Sequence, residues 1–215
     1  MSLQRPKRLL YPVELVDRNV MRLKRDLRRL YRKYRRGVVN RLECVVDGEA
    51  LVRAAFLLQQ ADVRAYVAKH GLPFSGDFSE LEESLAEILV RWRRVVEGFS
   101  EAAACTCTEH RILAAKGEEY WNSFAGITRR IDGLAQDLHF VTVNGAVRMI
   151  GVAVGAKWMH FVTAGDDRVC PVCLRYAQGG RGGYYKTNWF MPKIPCHFGD
   201  LCLWELVLYD PFGED

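Results

Sequence analysis

No apolar run in the chain approaches the roughly 18 residues that a membrane span requires. The opening stretch, MSLQRPKRLLYPVELVD, carries basic side chains but lacks the apolar segment of a secretory leader. Together these absences predict a chain made in a reducing cytoplasm. Seven cysteines in that setting, an odd number, argue against a disulfide framework. Acidic residues are scarce at one end only. Residues 1–41 hold three acids against fourteen Lys and Arg, a local balance of +11, whereas the remaining residues sum to −6. The modest net charge of +5 therefore hides a polarised chain, one end of which seeks an anionic surface.

Catalytic signatures are missing as well. There is no H-E-x-x-H, no H-x-E paired with P-C-x-x-C, and no Walker loop. The GGRGG stretch at 179–183 lacks the strand-to-helix setting that would let it cradle phosphate. A cysteine nucleophile served by His139 or His160 has nothing in the pattern to favour it. The chain therefore reads as a non-enzyme with no small-molecule substrate. Its composition, 49% apolar and 27% charged, is that of a folded protein.

What is present falls into three parts: a basic segment (1–41), a helical body (42–156) and a small C-terminal subdomain (157–215). In RNVMRLKRDLRRLYRKYRR, residues 18–36, Val20, Leu23, Leu27, Leu30 and Tyr34 alternate at spacings of three and four, predicting a helix with a narrow apolar seam. Asp17 is a candidate N-cap and Gly37 a candidate stop. Arg22, Lys24, Arg25, Arg28, Arg29, Arg32, Lys33, Arg35 and Arg36 surround the seam with Asp26 as the single acid. A merely solvated face normally mixes both signs, and like charges at i,i+4 cost helix stability. The pattern instead suits contact with a polyanion, DNA without sequence preference being the first candidate. A membrane-surface helix fits less well, because the seam is thin and lacks Trp or Phe.

Further helices are predicted over 49–69, ending at Gly71, and over 79–98, opening with Ser79 and Glu82 at capping-box spacing. Leu81, Leu85, Ile88, Trp92 and Val95 form a core stripe on the latter. Residues 100–116, 118–140 and 143–156 read as three more helices. KWMHFVT, YYKTNWFMP and CLWELVLYD read as strands, with the Gly-rich stretch as a flexible loop. The expected fold class is α+β, a mostly helical body with a small, zinc-stapled β-containing subdomain.

The zinc expectation rests on spacing. Cys170 and Cys173 enclose two residues, one of them Pro171, and such a turn presents two thiolates to one ion. PCHFGDLC supplies the second half: His197 and Cys202 enclose four residues, with Cys196 as the substitute ligand. A closed four-ligand site leaves no open position for water, so the zinc would be structural. The other cluster, CTCTEH at 105–110, is a poor metal site, because on a helix Cys105 and Cys107 point about 200° apart.

KWMHFVTAGDDRVCPVCLRYAQG followed by PKIPCHFGDLC resembles the C-terminal signature of phage minor head, or head-morphogenesis, proteins of the Mu F-like group. Thr163, Asp166, Arg168, Val169, Cys170 and Cys173 match its turn, and His197 and Cys202 match its close. Asp200 stands where the family has the first cysteine of the close, Gln178-Gly179 where it has Asp-Gly, and Cys196 is extra. The resemblance covers about residues 150–205. It implies a non-enzymatic virion component of a tailed phage, bound to portal and capsid proteins inside the head near the portal. Such a component acts in capsid assembly and DNA packaging or delivery. The competing expectation is a cytosolic zinc-ribbon DNA-binding regulator using the same basic helix.

Overall fold

The computed structural model describes residues 13–74, 77–97, 124–163, 169–187 and 202–213. Helix α1, Val13–Arg35, buries its seam of Val20, Leu23, Leu27 and Leu30, joined by Tyr31, with Tyr34 half-buried at the edge. The helix begins earlier than the candidate cap: Asp17 lies within α1 rather than before it. Its end is as expected. Gly37 takes a positive φ of 68°, and the N–H of Val38 reaches back to the Lys33 carbonyl at 3.0 Å, closing off the last turn.

Helix α2, Arg41–Lys69, starts well before residue 49. Asn40 caps it, its side chain accepting from the Glu43 N–H at 2.9 Å while the Glu43 carboxylate accepts from the Asn40 N–H at 2.7 Å. That reciprocal pair satisfies two orphan donors and fixes the turn between α1 and α2. The expected capping box at Ser79 and Glu82 is not formed. Ser79–Leu81 is a 3-10 turn, and the Ser79 N–H donates instead to Asp77 Oδ1 at 2.9 Å. Helix α3, Glu82–Glu97, follows, and its stripe of Leu85, Ile88, Trp92 and Val95 enters the core.

The helices predicted over 118–140 and 143–156 are joined where they are described: residues 118–123 lie outside the described residues, and a single helix α4 runs Phe124–Ala153. At about 1.5 Å per residue it is roughly 45 Å long and serves two cores. Its first half packs Ile127, Ile131, Leu134 and Leu138 against α1 and α3. Its second half carries Ile150, clustered with Leu206 of the sheet. Polar ties cross the body at buried points. Arg91 Nη1 donates to the fully buried Asp137 at 2.8 Å, and Arg130 Nη2 donates to the Arg94 carbonyl at 3.2 Å. Helix α4 closes like α1, with Gly155 at φ 69° and the Ala156 N–H on the Gly151 carbonyl at 2.9 Å.

The chain then forms β1, Trp158–Val162, helix α5, Pro171–Gly182, and strands β2, Tyr184–Lys186, and β3, Leu203–Val207. Strands form in all three predicted stretches, the second of them only at Tyr184–Lys186, with residues 188–192 outside the described residues; the sheet is antiparallel in the order β2-β1-β3. Met159 pairs with Tyr185 on one side and Leu206 on the other. The Gly-rich stretch is a kinked continuation of α5: Gly179, Gly180 and Arg181 leave helical backbone before β2 begins. The protein is thus α+β, a helical body carrying a small three-stranded sheet. The helix predicted over 100–116 and the CTCTEH cluster lie outside the described residues. Among the described residues no helix is long and apolar enough to cross a membrane.

Candidate nucleic-acid interface and metal centre

Burial of the seam fixes which way each cation of α1 points. With about 100° per residue, Arg22, Arg25, Arg29, Arg32 and Lys33 fall within an arc of roughly 100° opposite Leu27, and Arg36 follows in the turn just past the helix end. All six are exposed. Lys24, Arg28 and Arg35 lie along a flank, and Arg28 shows what that flank meets. Its Nε donates to Asp132 Oδ1 of α4 at 2.8 Å while Nη2 reaches Oδ2, a two-pronged ion pair. Sequence pattern gave no hint of this partner 104 positions away. Arg28 is therefore a tether between helices first and an outward cation second. Lys24 is half-buried on the same side.

Asp26 partly offsets the outward arc, standing 3.3 Å from Arg25 Nε and 3.9 Å from Arg22 Nε. Arg29, Arg32, Lys33 and Arg36 have no acidic partner among the described residues. Like-charge neighbours at i,i+3 and i,i+4 on this arc each cost about 0.2–0.5 kcal/mol, a debt that a row of phosphates would cancel. Beneath them, burial raises the Tyr31 phenol above its ordinary range, so it stays a neutral part of the seam.

The Cys-x-x-Cys segment is the N-terminus of α5 rather than a free turn. Cys170 occupies the cap with extended backbone, Pro171 follows at the first helical position, and Cys170 Sγ accepts from the Cys173 N–H at 3.3 Å. This geometry brings the two sulfurs to 3.3 Å. Two thiolates on one tetrahedral zinc, each with a bond of about 2.3 Å, stand about 3.8 Å apart, so a small side-chain rotation would seat an ion. Burial pushes the Cys170 thiol up to about 11. A metal would therefore have to displace a proton held firmly at neutral pH.

Cys202 belongs to the same buried cluster as Cys170 and Cys173, with Met159, Phe161 and Trp204. Asn144 of α4 sets its backbone. The Asn144 amide donates to the Cys202 carbonyl at 3.3 Å, and its oxygen accepts from the Trp204 N–H at 2.8 Å. A buried asparagine thus acts as a short strand partner at the entry to β3, a role the small-residue run around it concealed. Among the described residues no three His, Cys, Asp or Glu side chains are grouped as a ligand shell. His197 and Cys196 lie outside the described residues, as do Asp166, Arg168 and Asp200.

The two histidines considered as catalytic partners have other surroundings. His139 is buried in α4, where desolvation lowers it to about 4 and keeps it neutral. His160 of β1 stacks on Tyr184 with ring centres 4.4 Å apart and places Nδ1 3.3 Å from Glu205 Oε2. Comparison with protein-family models, with curated proteins and with solved structures returned no match to the chain.

Proposed function

We propose that this chain is a minor head protein of a tailed phage, portal-associated, contacting packaged DNA through the outward face of α1. The observation that carries the DNA contact is the one-signed arc of Arg22, Arg25, Arg29, Arg32, Lys33 and Arg36, exposed along about four turns. Portal association rests on the resemblance of residues 150–205 to the head-morphogenesis signature. The protein is expected to co-sediment with purified heads after nuclease treatment, in constant ratio to the portal. Recovery only as free protein on one preferred duplex would replace this reading with the cytosolic zinc-ribbon regulator.

The same reading gives the C-terminal subdomain one structural zinc, held by Cys170, Cys173 and Cys202 with His197 or Cys196 as the fourth ligand. Support comes from the converged sulfurs of the first pair and the cluster that Cys170, Cys173 and Cys202 share. Zinc supplies a covalent-like staple to a core too small to be secure alone. Purified protein is expected to contain about one equivalent of zinc and to lose it when Cys170 and Cys173 are both replaced by Ser. Metal-free protein whose melting temperature ignores chelator would remove zinc from the proposal and leave a buried dithiol.

A further inference from the structure

Helices α2 and α4 run side by side in the same direction, and each passes through two apolar clusters. Val52 and Phe56 of α2 share the first with Leu134 and Leu138 of α4, and Val63 and Val67 share the second with Val147 and Ile150. Between the clusters both helices bury polar side chains: Gln59 and Gln60 on α2, Thr142 and Asn144 on α4. Asn144 is held by the entry to β3. Thr142 Oγ1 donates to the Leu138 carbonyl one turn back at 2.9 Å, a bond that competes with the helix's own ladder and favours bending. Gln59 differs from both. It is 4% exposed, and neither its Nε2 nor its Oε1 has a hydrogen-bond partner among the described residues. Each buried atom left in that state weakens the closed packing by about one order of magnitude or more.

We infer that this polar layer is a hinge. The end of the molecule bearing the sheet swings against the body formed by α1, α3 and the first halves of α2 and α4. The two long helices bend together at the layer, so each apolar cluster moves as a unit and neither has its interior exposed. The Gln59 amide meets water as the layer opens, which offsets the cost of parting the helices there. Gly145 suits the pivot of α4. Leu81, in the turn before α3, lies against it, and the missing Cβ leaves that side chain room to slide. Asn144 travels with the moving end, since both of its bonds go to the start of β3. The bond from the Asn19 amide of α1 to Asp62 crosses near the layer, but it is half-buried and water can replace it. The hinge thus stands between the body that carries α1 and the subdomain that carries the cysteine cluster, and it depends on neither the DNA nor the zinc reading.

Double electron–electron resonance on the full chain tests it, with nitroxide-bearing noncanonical residues at exposed Leu42 of α2 and Leu174 of α5. A control pair at Met21 and Leu42, both exposed, lies within the body. The pair that spans the hinge is expected to give a distance distribution at least about twice as wide as the control. Gln59→Leu removes both unpaired atoms and keeps the bulk. It should shift the population toward the closed form by about 10-fold or more, narrow the spanning pair alone, and raise the urea midpoint. Gln59→Glu, whose charge demands water, should widen the spanning pair further. If the glutamate variant fails to fold, the leucine variant decides the matter. A spanning pair as narrow as the control, or a width indifferent to Gln59→Leu, overturns the inference. So does a lower urea midpoint for Gln59→Leu, which would mean that the amide is paired.

Discussion

Replacing Arg29, Arg32 and Arg36 together with Gln is expected to reduce DNA affinity at 0.1 M salt by about two to three orders of magnitude, with little loss of stability. Each phosphate contact contributes about 0.9 to the slope of log K against log salt, so four or five contacts by α1 predict a slope of roughly −4 to −5. Losing three flattens it by about 2.7, and the two proteins should converge as salt approaches 1 M. The three side chains are exposed and have no acidic partner among the described residues, so removing their charge leaves no buried ion behind. Arg28→Gln makes the contrast. It breaks the two-pronged pair with Asp132, so it should lower stability while changing the slope by less than one. The measurement is a salt titration on two unrelated duplexes. A slope unchanged by the triple substitution would assign the arc to an acidic protein surface, and strong preference for one duplex would favour a regulator.

Gly48→Ala is expected to destabilise the protein by about 2 kcal/mol, although the same change on an open helix surface stabilises by about 1 kcal/mol. Gly48 lies where α2 meets α3. A methyl group there would sit 2.1 Å from Cε2 and Nε1 of Trp92, far inside contact distance. The indole has nowhere to go. It is completely buried, and its N–H donates to the Val45 carbonyl at 3.2 Å. Accommodating the methyl means displacing the ring and lengthening that bond, at about 1–3 kcal/mol for overpacking and about 1 kcal/mol for the hydrogen bond. Gly48→Val should cost more, adding a β-branched side chain to the same collision. Urea unfolding of wild type and both variants provides the check. An alanine variant as stable as wild type would mean that the helices are not in close contact here. Combining Gly48→Ala with Trp92→Leu should cost less than the sum of the two changes, since the smaller side chain vacates the space the methyl needs.

The contrast between Gly48 and α1 shows which kinds of feature sequence reveals. The seam of α1, the core stripe of α3 and strands β1 and β3 were legible because period and burial coincide at those residues. The stop at Gly37 was legible because only a few residues take that backbone conformation without strain. The Asn40–Glu43 cap was readable in principle, since its spacing is a standard start signal, but α2 mixes charged and apolar residues with no separate apolar face, which obscured where that helix began. The continuity of α4 was obscured by Asn144 and Gly145. Both look like breakers, yet one is needed for its amide and the other leaves room for Leu81. The pairing of Arg28 with Asp132 was not legible because its acid sits on a distant helix, and pairings of that sort are settled by packing. The pairing of Cys170 and Cys173 was legible from spacing alone. That Cys170 would serve as a helix cap was not, because sulfur is rarely used where Ser, Asp or Asn would do.

The order of strands in the sheet constrains how the chain can be assembled from its start. β1 is the middle strand, and the neighbour on its far edge, β3, is synthesised after every other described element. Until then β1 has only the short β2 beside it, leaving the backbone from Trp158 to Val162 open along one side, with Met159 and Phe161 uncovered by Trp204 and Leu206. An unpaired strand bearing large apolar side chains is a template for pairing with any other strand of like kind. Asn144 shortens that hazard. It stands ready on a helix completed earlier, so the first residues of β3 have a fixed docking point as soon as they appear. Crowded conditions, with many copies emerging side by side, are where that docking point matters most, because there the competing edge belongs to the neighbouring chain.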